Sequence, residues 1–171
     1  MRAKDFINEL KIDNQNGWGQ TPNNAEVDYM GLKVKMEPQM FLRLAAELPI
    51  DDKAQGKINA MKAHAQSGGS FGAPTLYIRV PDAWEQGDFS TREWPYVYGH
   101  EGRHRMNTER ELSGGFYVET HIFLQSAHKE WKHRYGKNSA FTREIIDALQ
   151  NGPIESEDGT VVPTKNKFLL Y

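Results

Sequence analysis

Alternation of apolar and polar residues predicts a strand in three parts of the chain. "GLKVKM" (31–36), "APTLYIRV" (73–80) and "FYVETHIFLQ" (116–125) each place apolar side chains at every second position, which is typical of a half-buried strand. The β-prone segment "PYVYG" (95–99) follows a polar insertion, 81–94, that is too long for a simple hairpin turn. The chain therefore contains at least four predicted strands.

Helical spacing of apolar residues predicts helices between and after these strands. One helix begins at Pro38 and ends at Pro49, because proline suits the first helical turn and cannot continue a helix. The remaining predicted elements are an N-terminal amphipathic helix over 1–12, a loop over 13–25, helices over about 53–66, 103–112 and 140–150, and one or two short strands in the tail. This order predicts an α+β (mixed α/β) fold, in which helices flank a small mixed sheet.

Composition narrows the class of protein. The 171 residues suit one domain, with 26% charged residues and a net charge of -2. The absence of cysteine excludes disulfides, thiolate nucleophiles and Cys-based zinc sites. No apolar run approaches the ~20 residues that cross a bilayer, and no secretory signal is visible. We expect a cytoplasmic protein with no membrane partner.

Local charge departs from this average in one segment. Residues 128–143 hold five Lys or Arg against one Glu, with a Trp and a Tyr interleaved. Such a basic and aromatic segment could bind phosphates or single-stranded nucleic acid. A solvated helix face is the commoner structure for this composition.

The chemically densest segment is "YVYGHEGRHRMNTERE" (96–111). Its residues His100, Glu101 and His104 satisfy the H-E-x-x-H pattern of zinc peptidases. That site needs helix on both sides of the motif, whereas "PYVYG" precedes it and Gly102 costs about 1 kcal/mol of helix stability. No third ligand is fixed by the sequence. A zinc hydrolase is therefore the least favoured interpretation, and we predict no metal ligands.

The same segment also fits a strand, a glycine loop and a helix. A helix that starts after Gly102 would present unpaired backbone N–H groups to an anion. Arg103, His104 and Arg105 would surround the anion with donors, while His100 and Glu101 could move protons or hold a divalent cation. In the alternative interpretation, the arginines pair with Glu109 and Glu111 or with the acidic insertion. Physical reasoning alone leaves both interpretations open.

"YVYGHEGRHRMNTE" resembles the signature loop of the ParB/sulfiredoxin-like superfamily, in which a strand leads through Gly and basic residues into a helix. "LKVKMEPQMFLRLA" and "GAPTLYIRV" match the flanking family elements in order, so the resemblance covers roughly 31–125. It implies a domain over 31–125, an N-terminal helix and loop over 1–30, and a C-terminal extension of the same domain over 126–171. The first residues are also similar in style to small phage-encoded proteins.

The resemblance implies that the loop binds the phosphates of ATP or CTP with Mg²⁺. The residues matched to the signature are Glu101, Gly102, Arg103, His104 and Arg105. The resemblance implies that Gly99, Gly102, Arg103, His104 and Arg105 bind the cofactor, and that Glu101 and His100 lie at the mouth of the loop as candidate catalytic residues. Glu37 stands where kinases of the superfamily place an acidic residue near the substrate; its alternative role is to favour the start of a helix.

Arg103 replaces the catalytic cysteine of sulfiredoxins, which excludes sulfinic-acid chemistry, and 126–171 leaves no room for a helix-turn-helix array. If the protein is an enzyme, the resemblance favours a kinase, an NTPase or a nuclease. The alternative from another class is a non-catalytic accessory factor that binds nucleic acid or a protein, and 128–143 is its candidate nucleic-acid surface.

Overall fold

The computed structural model describes residues 12–13, 29–69, 72–90, 92–114, 117–125, 140–164 and 168–170. Within these residues the fold is α+β, as predicted. The helices are α1 (Pro38–Leu44), α2 (Asp52–Gln66), α3 (Asp82–Glu85), α4 (Arg103–Ser113) and α5 (Ala140–Asn151). The strands are β1 (Ile12–Asp13), β2 (Tyr29–Met36), β3 (Thr75–Arg79), β4 (Tyr96–Glu101), β5 (Val118–Gln125), β6 (Pro153–Glu155), β7 (Val161–Pro163) and β8 (Phe168–Leu170).

The strands form one mixed sheet in the order β1-β2-β5-β3-β4-β6-β7, and β8 pairs with β2. β5 lies between β2, to which it is antiparallel, and β3, to which it is parallel. β3 and β4 are antiparallel neighbours. The hairpin of β6 and β7 joins β4 through the single residue pair Tyr96 and Glu155, so the C-terminal segment continues the sheet.

Alternation along the strands places one face of the sheet against the helices. Leu76 and Ile78 of β3, and Ile122 and Leu124 of β5, are fully buried. They share one hydrophobic core with residues of α1, α4 and α5, among them the fully buried Phe41. This packing of the helices on one face explains why the period-two pattern was strong in the sequence.

The predicted helices over 53–66, 103–112 and 140–150 are confirmed, and so are the four predicted strands. The helix that begins at Pro38 is shorter than predicted: it ends at Leu44, and Ala46 adopts a positive φ of 56°. The tail contributes two short strands, β7 and β8, as predicted, and a further strand, β6, precedes it. The polar insertion contains α3, where Trp84 is buried and packs on Phe89 with ring centroids 5.5 Å apart.

The predicted helix over 1–12 and the loop over 13–25 lie outside the described residues, except for β1. Residues 128–139 of the basic segment also lie outside them, and its last residues form the first turn of α5. Among the helices described here, none combines the length and the apolar character needed to span a membrane.

Candidate functional site

Gly102 separates β4 from α4. It has a φ of 97°, in the left-handed region, and α4 begins at the next residue. The predicted order of strand, glycine and helix is therefore confirmed, but the strand is longer than predicted. His100 and Glu101 belong to β4, where they lie opposite Leu76 and Thr75 of β3, and not to a loop.

The surroundings of Gly102 explain why this position needs glycine. A Cβ atom here would lie 2.8 Å from Nε of Arg105, closer than real Cβ atoms approach a neighbour, and 3.0 Å from the Cα of Pro74, tighter than most real Cβ contacts. The positive φ adds backbone strain for any other residue. Close packing within the protein, rather than the approach of an anion, is thus sufficient to account for this glycine.

The charge of Arg105 is used within the protein. Its guanidinium forms an ion pair with Glu101 and donates a hydrogen bond of 2.7 Å to the carbonyl oxygen of Gly72. The partners considered from the sequence, Glu109 and Glu111, are not the ones used, and Glu111 pairs instead with Lys62 at 2.8 Å. Arg105 is therefore paired within the protein, as the alternative interpretation of the sequence had it, but its partner is Glu101.

His100 faces the C-terminal segment. Its Nδ1 lies 2.5 Å from Oε2 of Glu157, so this nitrogen donates to the carboxylate when it carries the proton. Because His100 is in a strand and His104 is in a helix, the two imidazoles do not share one helical face, which the H-E-x-x-H zinc site requires. Across the described part of the chain, no group of three or more His, Asp or Glu residues could hold a metal ion.

Arg103 connects α4 to the end of α1. Its Nη2 donates to the carbonyl oxygens of Ala45 and Ala46, at 2.6 and 3.3 Å. These carbonyls follow the last turn of α1, where backbone acceptors have no helical partner and the helix dipole attracts a cation. This contact accompanies the early end of α1, which the apolar spacing of the sequence did not reveal.

Arg103 and His104 also line a pocket of about 260 Å³ between α2 and α4. From α2 the pocket receives Lys53 and Lys57, one helical turn apart. Its other lining residues are Ala54, Asn107 and the linker Leu48, Pro49, Ile50 and Asp51.

Asp51 is the only carboxylate among the residues that line this pocket, and it already has a partner. Its Oδ1 accepts a 2.7 Å hydrogen bond from the backbone N–H of Ala54, which caps the start of α2. Lys53, Lys57 and Arg103 carry three positive charges against this one negative charge, so the lining has a net charge of +2 with His104 neutral. The pocket is therefore suited to an anion.

His104 responds to this environment. Burial lowers the pKa of its imidazole below the ordinary value, Lys57 and Arg103 lower it further, and Asp51 acts in the opposite direction. Within the described residues, Nδ1 of His104 and Nε of Arg103 are buried without a hydrogen-bond partner. Leaving such groups unpaired costs free energy, which a polar ligand that reached them would recover.

The candidate residues predicted from the sequence therefore do not form one site. Arg103 and His104 meet in the pocket, whereas Glu101 and Arg105 pair with each other and His100 faces Glu157. Gly99 lies opposite Tyr77 in the sheet, and Glu37 precedes α1; neither lines the pocket.

Lys53 and Lys57 were missed as functional candidates. The signal that could have found them is their spacing of four residues, which places both on one face of the predicted second helix. Without knowledge of which element that face meets, the same spacing equally indicates a solvated surface.

A second cleft, of about 530 Å³, lies on the other side of α4, between that helix and β5. Glu109, Glu119 and His121 line it, and Nε2 of His121 lies 3.5 Å from Oε1 of Glu119. Burial raises the pKa of the Glu109 carboxyl. His121 is buried.

No family model matches this chain, and comparisons with curated proteins and with solved structures give no match either. The resemblance to the ParB/sulfiredoxin-like superfamily therefore stays a prediction from the sequence.

Proposed function

We propose that the protein binds a phosphate-bearing ligand in the pocket between α2 and α4. The observation that supports this proposal is the convergence of Lys53, Lys57 and Arg103 on a pocket whose one carboxylate, Asp51, already caps a helix. The 15-residue helix α2 begins at this pocket, so its dipole adds to the attraction for an anion. The first candidate from the sequence, a loop at 99–105, contributes only Arg103 and His104.

The size of the pocket suits the phosphate end of a ligand. At about 260 Å³ it lies below the ~300–1,000 Å³ of sites that enclose whole drug-sized molecules. The phosphates of ATP or CTP would lie against Lys53, Lys57 and Arg103, and the rest of the nucleotide would extend over the linker. Mg²⁺ commonly uses one or two carboxylates together with substrate phosphates, and Asp51 is the residue here that could supply one.

We propose ligand binding rather than a reaction, because the predicted catalytic residues lie elsewhere. His100, Glu101 and Glu37 do not line the pocket. Phosphoryl transfer, nucleotide hydrolysis and nucleic-acid cleavage would each need a positioned base. His104 is the one lining side chain that could exchange a proton near neutral pH.

Isothermal titration calorimetry with pyrophosphate, and then with ATP and CTP with and without Mg²⁺, tests the proposal. We expect saturable binding by the wild-type protein. Lys57→Gln should weaken pyrophosphate about tenfold, roughly the effect of losing one cation that contacts a phosphate. Lys62→Gln is the matched control, because Lys62 lies on the same helix and pairs with Glu111 outside the pocket.

Two results would contradict the proposal. One is the absence of heat with every anion tested. The other is an equal affinity of Lys57→Gln and Lys62→Gln for pyrophosphate, which would show that any binding depends on net charge rather than on this pocket.

A further inference from the structure

Three aromatic side chains lie at alternate positions along and just before β4. Trp94, Tyr96 and Tyr98 are 39, 40 and 37% exposed, whereas the residues between them, Pro95 and Val97, are buried. Tryptophan and tyrosine dominate the energetics of protein interfaces, and contiguous apolar surface of this kind marks binding sites. No residue of the α2–α4 pocket belongs to this row.

Trp94 and Tyr96 line a cleft of about 560 Å³ at the outer end of β4. Glu155 of β6, the residue paired with Tyr96 in the sheet, lines the same cleft. Glu93 lies on the same rim. In the described part of the chain, neither carboxylate has a side-chain hydrogen bond or an ion pair.

The charge of the cleft is negative despite its two arginines. Arg79 is 3.8 Å from the carboxylate of Asp82 and is offset by it. Arg92 then stands against Glu93 and Glu155, so two arginines and three carboxylates give the lining a net charge of -1. The negative charge of this cleft would repel an anionic strand of nucleic acid. It would attract a cation, which the faces of the aromatic rings would attract as well.

We propose that this cleft binds a short basic, proline-rich segment of a partner protein. Proline-rich segments adopt the extended polyproline II conformation and dock on exposed aromatic rings, which Trp94 and Tyr96 provide. Arginine or lysine side chains of the segment pair with Glu93 and Glu155 and lie over the Tyr96 ring. This inference does not depend on the anion pocket, which lies between α2 and α4 and shares no residue with this cleft.

Fluorescence polarisation of the full chain tests the proposal with a labelled peptide of the repeat Pro-Arg-Pro and a matched peptide of the repeat Pro-Glu-Pro. We expect the basic peptide to bind and the acidic one not to bind. The double variant Glu93→Gln, Glu155→Gln should weaken the basic peptide about tenfold, which corresponds to about 1.4 kcal/mol. Its binding should also depend less on salt, because the two screened charges are gone. Trp94→Ala should weaken it to a similar degree.

Glu144→Gln and Leu112→Ala are the matched controls, since both residues are exposed and lie outside the cleft. The glutamine variants remove no apolar contact, so they keep the test decisive even if Trp94→Ala fails to fold. Equal binding of the two peptides would overturn the proposal. Unchanged affinity in the glutamine variants, or preferential binding of a labelled oligothymidylate, would overturn it as well.

Discussion

Two groups of charged side chains meet at the start of α4, and they differ in how much of their charge the protein itself neutralises. Arg105 is paired with Glu101 and donates to Gly72, so this group neutralises itself. On the other side of the helix, Arg103 and Lys57 face a pocket in which positive charge exceeds negative charge. The two groups are interleaved in sequence but separate in space, because successive residues of a helix point about 100° apart.

A glycine followed by basic residues therefore does not by itself define an anion site. Arg105 is neutralised by a carboxylate and holds the backbone at Gly72 in place. The partners of Arg103 are backbone carbonyls, which do not cancel its positive charge, so that charge can attract a ligand.

The largest effect should come from Gly102→Ala. The new Cβ would meet Arg105 and the backbone of Pro74 at about 3 Å in a conformation that alanine disfavours, so we expect a loss of about 3 kcal/mol of the free energy of unfolding. Urea denaturation measures this. Gly56→Ala in α2 is the control: its Cβ meets nothing within 4 Å, and alanine should add about 1 kcal/mol. Equal effects of the two substitutions would contradict the tight packing of Gly102.

Arg105→Met should have the second largest effect. Methionine keeps an apolar stem but loses the ion pair with Glu101 and the hydrogen bond to Gly72, which together are worth about 2 kcal/mol for a side chain that is mostly buried. Chemical denaturation should show this loss, while the affinity for pyrophosphate measured by calorimetry stays within twofold of wild type, roughly the error of such comparisons. A large loss of affinity with unchanged stability would place the ligand at the loop instead.

The smallest effect should be the pH dependence from His104. Because its pKa is lowered in the folded protein, the unfolded chain binds more protons in the window between that lowered pKa and the ordinary value. Stability therefore falls as the pH falls through this window, and His104→Gln should remove this part of the fall in thermal denaturation.

A bound anion should reverse the preference of His104 for the neutral form. Sulfate is the suitable probe, because its charge stays constant between about pH 5 and 8, where histidine titrates. We expect sulfate affinity to rise as the pH falls in the wild-type protein and to change less in His104→Gln. Identical pH profiles in the two proteins would show that His104 does not contact the anion.

Much of the fold could be predicted because the responsible interactions are local. The alternation of apolar and polar residues along 73–80 and 116–125 arises because one face of each strand is buried. Gly102 separates a strand from a helix through its own backbone conformation, which does not depend on how the two elements pack. The end of α1 at Leu44 could not be predicted, because Arg103, which contacts the carbonyl of Ala45 just after the helix, lies 58 residues further along the sequence.

The site was only half predictable for the same reason. The sequence indicates cationic side chains within 103–105 but not which of them has an internal partner. Glu101 pairs with Arg105, and a backbone carbonyl that follows α1 accepts a hydrogen bond from Arg103. Lys53 and Lys57 join Arg103 through the packing of α2 against α4, a contact that no spacing within either segment encodes.

The position of β5 in the sheet has a consequence for how the chain folds as it is synthesised. β5 is made after β2, β3 and β4, yet it separates β2 from β3. At about 5–20 residues per second, a ribosome holds β2 for several seconds before its partner appears. Because such long-range pairing slows folding, we expect the edge of β2 that pairs with β5 to stay exposed in the nascent chain until Gln125 has emerged. The core can close only when β5 takes its place between β2 and β3.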